Sequence, residues 1–203
     1  MKHFSRLSSV PIYIDIALDN FKIAITAEHE ITKIRNNSEF NQDEKDYYLL
    51  EQQRVSHKQS ITTVVFISMA IEAYIYDYSA RELSDNYPKT YLDKLDIISK
   101  WVIIPKLITG KDFPIERQGF QLLKNLFGYR NKLVHFKSTN ITSDTLESIQ
   151  EKSVDSFEMA LKAVETLIEL SNDLATIDKE EPIMFLFDLK ECKKVIEYKN
   201  ELV

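Results

Sequence analysis

Glycine is almost missing from this chain, with three in 203 residues, at positions 110, 119 and 128. A turn-rich β architecture needs far more of it, so helices are favoured. None of the three falls in a glycine-rich phosphate loop or a dinucleotide-binding pattern. Cysteine occurs once, Cys192, which excludes an intrachain disulfide and a Cys-based zinc cluster and fits a reducing cytosol. The longest uncharged apolar run, "QSITTVVFISMAI" at 59–71, is bounded by Lys58 and Glu72. A membrane span needs roughly 20 such residues, so this one reads as a buried helix. Lys2 and Arg6 are followed by Asp15 and Asp19, with no apolar core leading to a small-residue cleavage site, so no export signal is expected and the location reads as cytoplasmic.

Positive charge is the scarcer sign. Lys and Arg total 26 against 32 Asp and Glu, a net −6 that argues against nonspecific coating of nucleic acid. Its distribution is uneven: residues 81–140 carry 11 basic and 6 acidic groups, whereas 141–203 carry 7 and 15. The basic third holds the sequence feature that most needs explaining.

What is present, 44% hydrophobic and 29% charged residues, is the mixture of a globular protein with a core. The expectation is one domain over residues 1–203, its core at about 10–177 and 178–203 packed on it as an extension. Ser8, Ser9 and Pro11 start a helix whose apolar face of Ile14, Ala17, Leu18, Phe21 and Ile25 runs to about residue 36. From Asp43 a pattern free of Gly and Pro continues to about Ser84, as one helix or two. A short third helix ends at Pro105, Pro114 opens a fourth, 138–144 is a loop, and an amphipathic helix with a mostly acidic outer face follows through Leu170. Residues 183–202 form a helix, or a strand and a helix. The whole reads as an all-α, up-and-down bundle.

Within the fourth helix lies "GYRNKLVHFK", 128–137. Winding about 100° per residue from Leu123 places Leu126 at about −60°, Phe127 at about 40°, Val134 at about 20° and Leu133 at about −80°. Arg130 falls at about −20°, inside that apolar stripe, while Asn131 falls at about 80° and His135 at about 120°, on its flank. Arg130 and His135 are thus about 140° apart, so either the helix bends near Gly128 or a second copy of the chain completes a site containing both. A buried guanidinium needs a carboxylate or an anion. Glu72, the first charge in the apolar stretch "FISMAIEAYIYDYSA", is the best internal candidate.

Arg-Asn-three residues-His near a helix end, after a helix of the form "AIEAYIYDY", resembles the HEPN superfamily (higher eukaryotes and prokaryotes nucleotide-binding), in particular its prokaryotic toxin and abortive-infection members. The likeness covers roughly residues 55–175 and rests on Arg130, Asn131, His135 and the Glu72 helix. It implies a HEPN-like fold and a metal-independent endoribonuclease acting as a homodimer without cofactor, giving 2′,3′-cyclic phosphate and 5′-hydroxyl ends. Arg130, Asn131 and His135 would be catalytic and Glu72 supporting. Lys124, Lys132 and Lys137, helped by Arg117, would position the RNA backbone and Tyr129 would stack on a base. The substrate would be tRNA or mRNA, and a cognate antitoxin is a further expected partner; no membrane is. HEPN toxins paired with a nucleotidyltransferase commonly continue the motif as His-x-Tyr; here Phe136 and Lys137 follow, so the modifiable tyrosine is absent. The alternative is a noncatalytic helical module for dimerisation and for binding a protein or nucleotide. His3, His29 and His57 lack metal-ligand spacing, and no metal site is expected.

Overall fold

A computed structural model describes residues 7–134, 155–179 and 189–202. Helix α1 spans Val10–Asn36, with Ser9 as N-cap and proline in its first turn. Its buried stripe of Ile14, Ala17, Leu18, Phe21 and Ile25 is the predicted apolar face. The long apolar pattern that follows is one helix, α2, Gln42–Glu82. Asn41 starts it with a reciprocal capping box: its Oδ1 accepts from the Glu44 N–H at 3.0 Å, and its own N–H donates to Glu44 Oε2 at 3.0 Å.

At about 1.5 Å per residue α2 is about 60 Å long and α1 about 40 Å, and burial in α2 begins only at Ser56. Its next turns meet α1 through small residues: Ser56 Oγ donates to Glu28 Oε1 at 2.5 Å, and Thr63 Oγ1 reaches the Ala17 carbonyl at 3.2 Å. Further on, Val64, Ile67, Ile71, Tyr74, Ile75 and Tyr78 are fully buried, because α2 packs against α1 and three further helices. By length and composition α2 holds one stretch apolar enough to cross a membrane, and half of that stretch is buried in the bundle.

A π-helical turn at Pro88–Leu92 leads to α3, Ile97–Thr109. Asp96 caps α3, accepting from the Ser99 N–H at 3.0 Å. The expected stop at Pro105 is not one: α3 runs through the proline, which is buried, and ends where Gly110 turns left-handed at φ 73°. Tertiary packing outweighs the missing N–H. Trp101, one turn earlier, is fully buried, stacked on Tyr74 at 5.8 Å and edge-on to Phe113 at 5.7 Å.

Helix α4 is Gln118–Val134, starting four residues after Pro114 because 114–117 first close a turn, with the Arg117 N–H on the Pro114 carbonyl at 3.1 Å. Helix α5 is Ser156–Ile177, capped by Asp155, and α6 is Leu189–Leu202, which docks on α1 and α5 through Leu189, Cys192 and Val195. The 138–144 loop and the beginning of the 183–202 segment lie outside the described residues. Among those described there is no strand, and the architecture is an all-α bundle.

Contact between α4 and α5 is close enough to require glycine. A Cβ on Gly119 would stand 2.4 Å from Asp173 Oδ2 and 2.9 Å from the Glu169 carbonyl carbon. Asp173, 3% exposed, is held by Arg117, whose Nη1 is 3.3 Å from Oδ1. Burial pushes the Asp173 carboxyl above its ordinary value, against the pull of Arg117.

Candidate functional site

α4 is uninterrupted through Gly128, so its two flanks point different ways. Phe127 and Leu123 anchor the inner flank in the core, and Arg130 emerges on the same side toward α2. Its Nη2 stands 3.9 Å from Glu72 Oε2, with the two side chains 25% and 43% exposed. The pair predicted from sequence is therefore present but neither tight nor buried, and such a pair contributes roughly 0–1 kcal/mol. Nη1 donates to Asn131 Oδ1 at 3.2 Å. The Arg130 Nε is buried without an acceptor among the described residues. The guanidinium is thus only partly matched, with donor capacity left for an acceptor that fits its planar fork.

The outer flank is different. Lys124, Asn125, Tyr129 and Lys132 from α4 meet Met159 and Lys162 from α5 around a groove of about 300 Å³. Gly128 also lines the groove, and a Cβ there would meet no atom within 4 Å. Lys124 and Lys132 make no ion pair with any described residue; Lys162 has Glu158 at 2.5 Å, one helical turn away. Tyr129 is half-buried, and its phenol is raised above the ordinary value, first by desolvation and then by the negative charge of Asp155, so it stays protonated.

Of the residues singled out from sequence, the structure brings Arg130 to Asn131 and Glu72, and sets Lys124, Tyr129 and Lys132 around the groove. Arg117 is drawn away to Asp173. His135 and Lys137 lie outside the described residues. Sequence reasoning missed Asn125, Met159 and Lys162, because nothing in a linear pattern says which face of α5 meets α4. It also missed the bond between His57 Nδ1 and Ser156 Oγ, 3.0 Å, which ties α2 to the first turn of α5.

No protein-family model matches the chain, and neither a curated protein nor a solved structure does.

Proposed function

We propose that this protein is a HEPN-type, metal-independent endoribonuclease, acting in the cytoplasm as a homodimer and serving as a toxin or phage-defence effector. The observation that carries the reading is the state of Arg130: a guanidinium at a helix seam with a buried Nε lacking an acceptor, a loose carboxylate at 3.9 Å and an asparagine amide at 3.2 Å. That arrangement suits an oxyanion that arrives, not a charge already neutralised.

The helical rotation supports two copies rather than one. α4 is continuous through Gly128, and on an ideal helix the roughly 140° between positions 130 and 135 would keep the two side chains from one phosphate within a chain; His135 itself lies outside the described residues. Across a two-fold axis the Arg130 of one copy faces the His135 of the other. In the reaction, a 2′-oxygen attacks phosphorus as one His135 takes its proton. The bond from phosphorus to the 5′-oxygen breaks, and a proton from water completes the 5′-hydroxyl. Arg130 bears the charge growing on the nonbridging oxygens, while Asn131 orients Arg130 through its Oδ1. The substrate is tRNA or mRNA, and a cognate antitoxin would cover the same surface.

A second reading, a noncatalytic module for dimerisation and protein or nucleotide binding, draws on the Arg130–Glu72 contact itself. Cleavage of labelled tRNA and mRNA in EDTA decides between them. The nuclease reading expects 2′,3′-cyclic phosphate and 5′-hydroxyl ends, lost in folded Arg130→Ala and His135→Ala variants by about a hundredfold or more. Wild-type protein silent on both RNA classes would favour the module.

A further inference from the structure

The first third of α2 has no part in that scheme. Burial in α2 begins at Ser56, so residues 42–55 stand outside the core as an arm about 20 Å long. One side of the arm is covered by the end of α1, where Ile34 and Asn37 line a hollow with Tyr48 and Gln52. The opposite side carries Asp43, Tyr47, Leu50 and Arg54. With Tyr47 set at zero these four fall between about −60° and 0°, while Gln52 and Ser56, which face α1, fall at about 140° and 180°. Asp43 is exposed, Tyr47 and Leu50 are 64% and 62% exposed, and the Arg54 side chain is 80% exposed. Steps of four, three and four residues are the seam spacing of a helix that packs along another helix.

We infer that this seam is a self-association surface, on which the same seam of a second copy lies antiparallel. The order of its residues carries the inference: an acid at one end, a base at the other, and two large apolar side chains between them. With a two-fold axis between residues 48 and 49, Asp43 meets Arg54 of the second copy, Tyr47 meets its Leu50, and each pairing occurs twice. Within one chain Asp43 and Arg54 are about 16 Å apart along the helix, too far to pair. Among the described residues Asp43 has no ion pair, and Arg54 has Glu51 at a loose 3.9 Å, one turn away.

Burial of Tyr47 and Leu50 supplies the attraction, and the charges set the direction. A parallel pair would put Asp43 on Asp43 and Arg54 on Arg54. On one flank of the antiparallel pair Glu44 and Glu51 approach each other, which works against it. Glu44 is already tied to the Asn41 N–H at 3.0 Å, however, and Glu51 is turned to Arg54. With four residues a side the contact buries less than the roughly 1,200 Å² of a standard interface, so the association is weak and concentration-dependent. It is also distinct from the two-fold of the proposed nuclease site. Glu72, which marks the level of Arg130, lies about 33 Å beyond Leu50 along α2. An axis at the arm therefore holds the two Arg130 side chains far apart, and the arm adds an assembly step to whatever that site requires.

A charge swap read by sedimentation equilibrium of the full chain is the test. Asp43→Arg or Arg54→Asp alone sets like charges together at both ends of the pair, whereas the two combined reverse the pair and restore its attraction. Both positions are exposed, and circular dichroism confirms that each variant keeps its helix content. Each single swap is expected to raise the dissociation constant of the arm contact by about tenfold or more, and the double swap to return it to within about threefold of wild type. Tyr47→Ser with Leu50→Ser, which alters no charge, is expected to abolish the contact. If the single swaps associate as the wild type does, or if the double swap stays as weak as either single one, the inference is overturned. A seam that serves a foreign partner, or none, gives the first of those two results. Because the readout is mass, it stands or falls separately from the cleavage assay.

Discussion

Arg130 and Asp173 show how differently two buried or half-buried charges are treated in one bundle. Arg130 has a loose carboxylate, an amide and an unused donor, whereas Asp173 is 3% exposed, its Oδ1 paired with Arg117 at 3.3 Å and its Oδ2 buried without a donor among the described residues. Desolvation raises the Asp173 pKa from 3.8 in spite of that arginine. Between pH 3.8 and the raised value the folded state therefore holds more protons than the unfolded chain. The contribution of Asp173 to stability is greatest below the unfolded pKa and falls as pH rises through this window. Denaturant melts of wild type and Asp173→Asn across acid and neutral pH check it: the stability of wild type relative to the variant should decline with rising pH. A relative gain on raising the pH would mean that Arg117, not burial, dominates. Apolar and charged residue types were legible as such in the sequence, but this balance was not, since it depends on Gly119 letting a carboxylate 56 residues after Arg117 come within 3.3 Å of it.

At the scale of elements, the limits of α1 and the start of α2 follow from local chemistry: the first-turn proline, and an Asn41–Glu44 box three residues apart. Periodicity alone carries that much. The end of α3 does not follow, because a proline rule based on backbone donors ignores what the helix buries. Trp101 and Pro105 lie on the core side of α3, and the stop falls instead to Gly110. Gly110→Ala supplies a direct check. A Cβ there meets nothing within 4 Å, yet φ of 73° penalises any L side chain. Thermal or chemical unfolding should show a loss of about 1 kcal/mol, and Gly110→Asn a smaller one. An unchanged midpoint would show that the left-handed turn relaxes without cost. Side-chain caps mark the starts of α2, α3 and α5, whereas the start of α4, four residues past Pro114, and the end of α3 do not follow from the local signals.

Over the whole molecule, charge and shape are arranged around α4. The basic third of an acidic chain contributes Lys124 and Lys132 to a groove whose other wall comes from the acidic last third, where Lys162 is one of seven basic residues against fifteen acidic ones. The motif was visible in the sequence as an arginine out of place. Its division into an Arg130 flank and a lysine flank was visible only as an angle, and the pairing of α4 with α5 that makes the groove was not visible at all. The same angle makes the central proposal testable as an assembly. Arg130→Ala and His135→Ala, each folded and each inactive in EDTA, are mixed in equal amounts and allowed to exchange subunits. If a site takes Arg130 from one copy and His135 from the other, each mixed dimer keeps one intact site of two, and roughly a quarter of wild-type cleavage should return. A mixture as silent as its components, with exchange demonstrated and wild type active, would contradict a shared site. Silence of the wild type itself would contradict the nuclease.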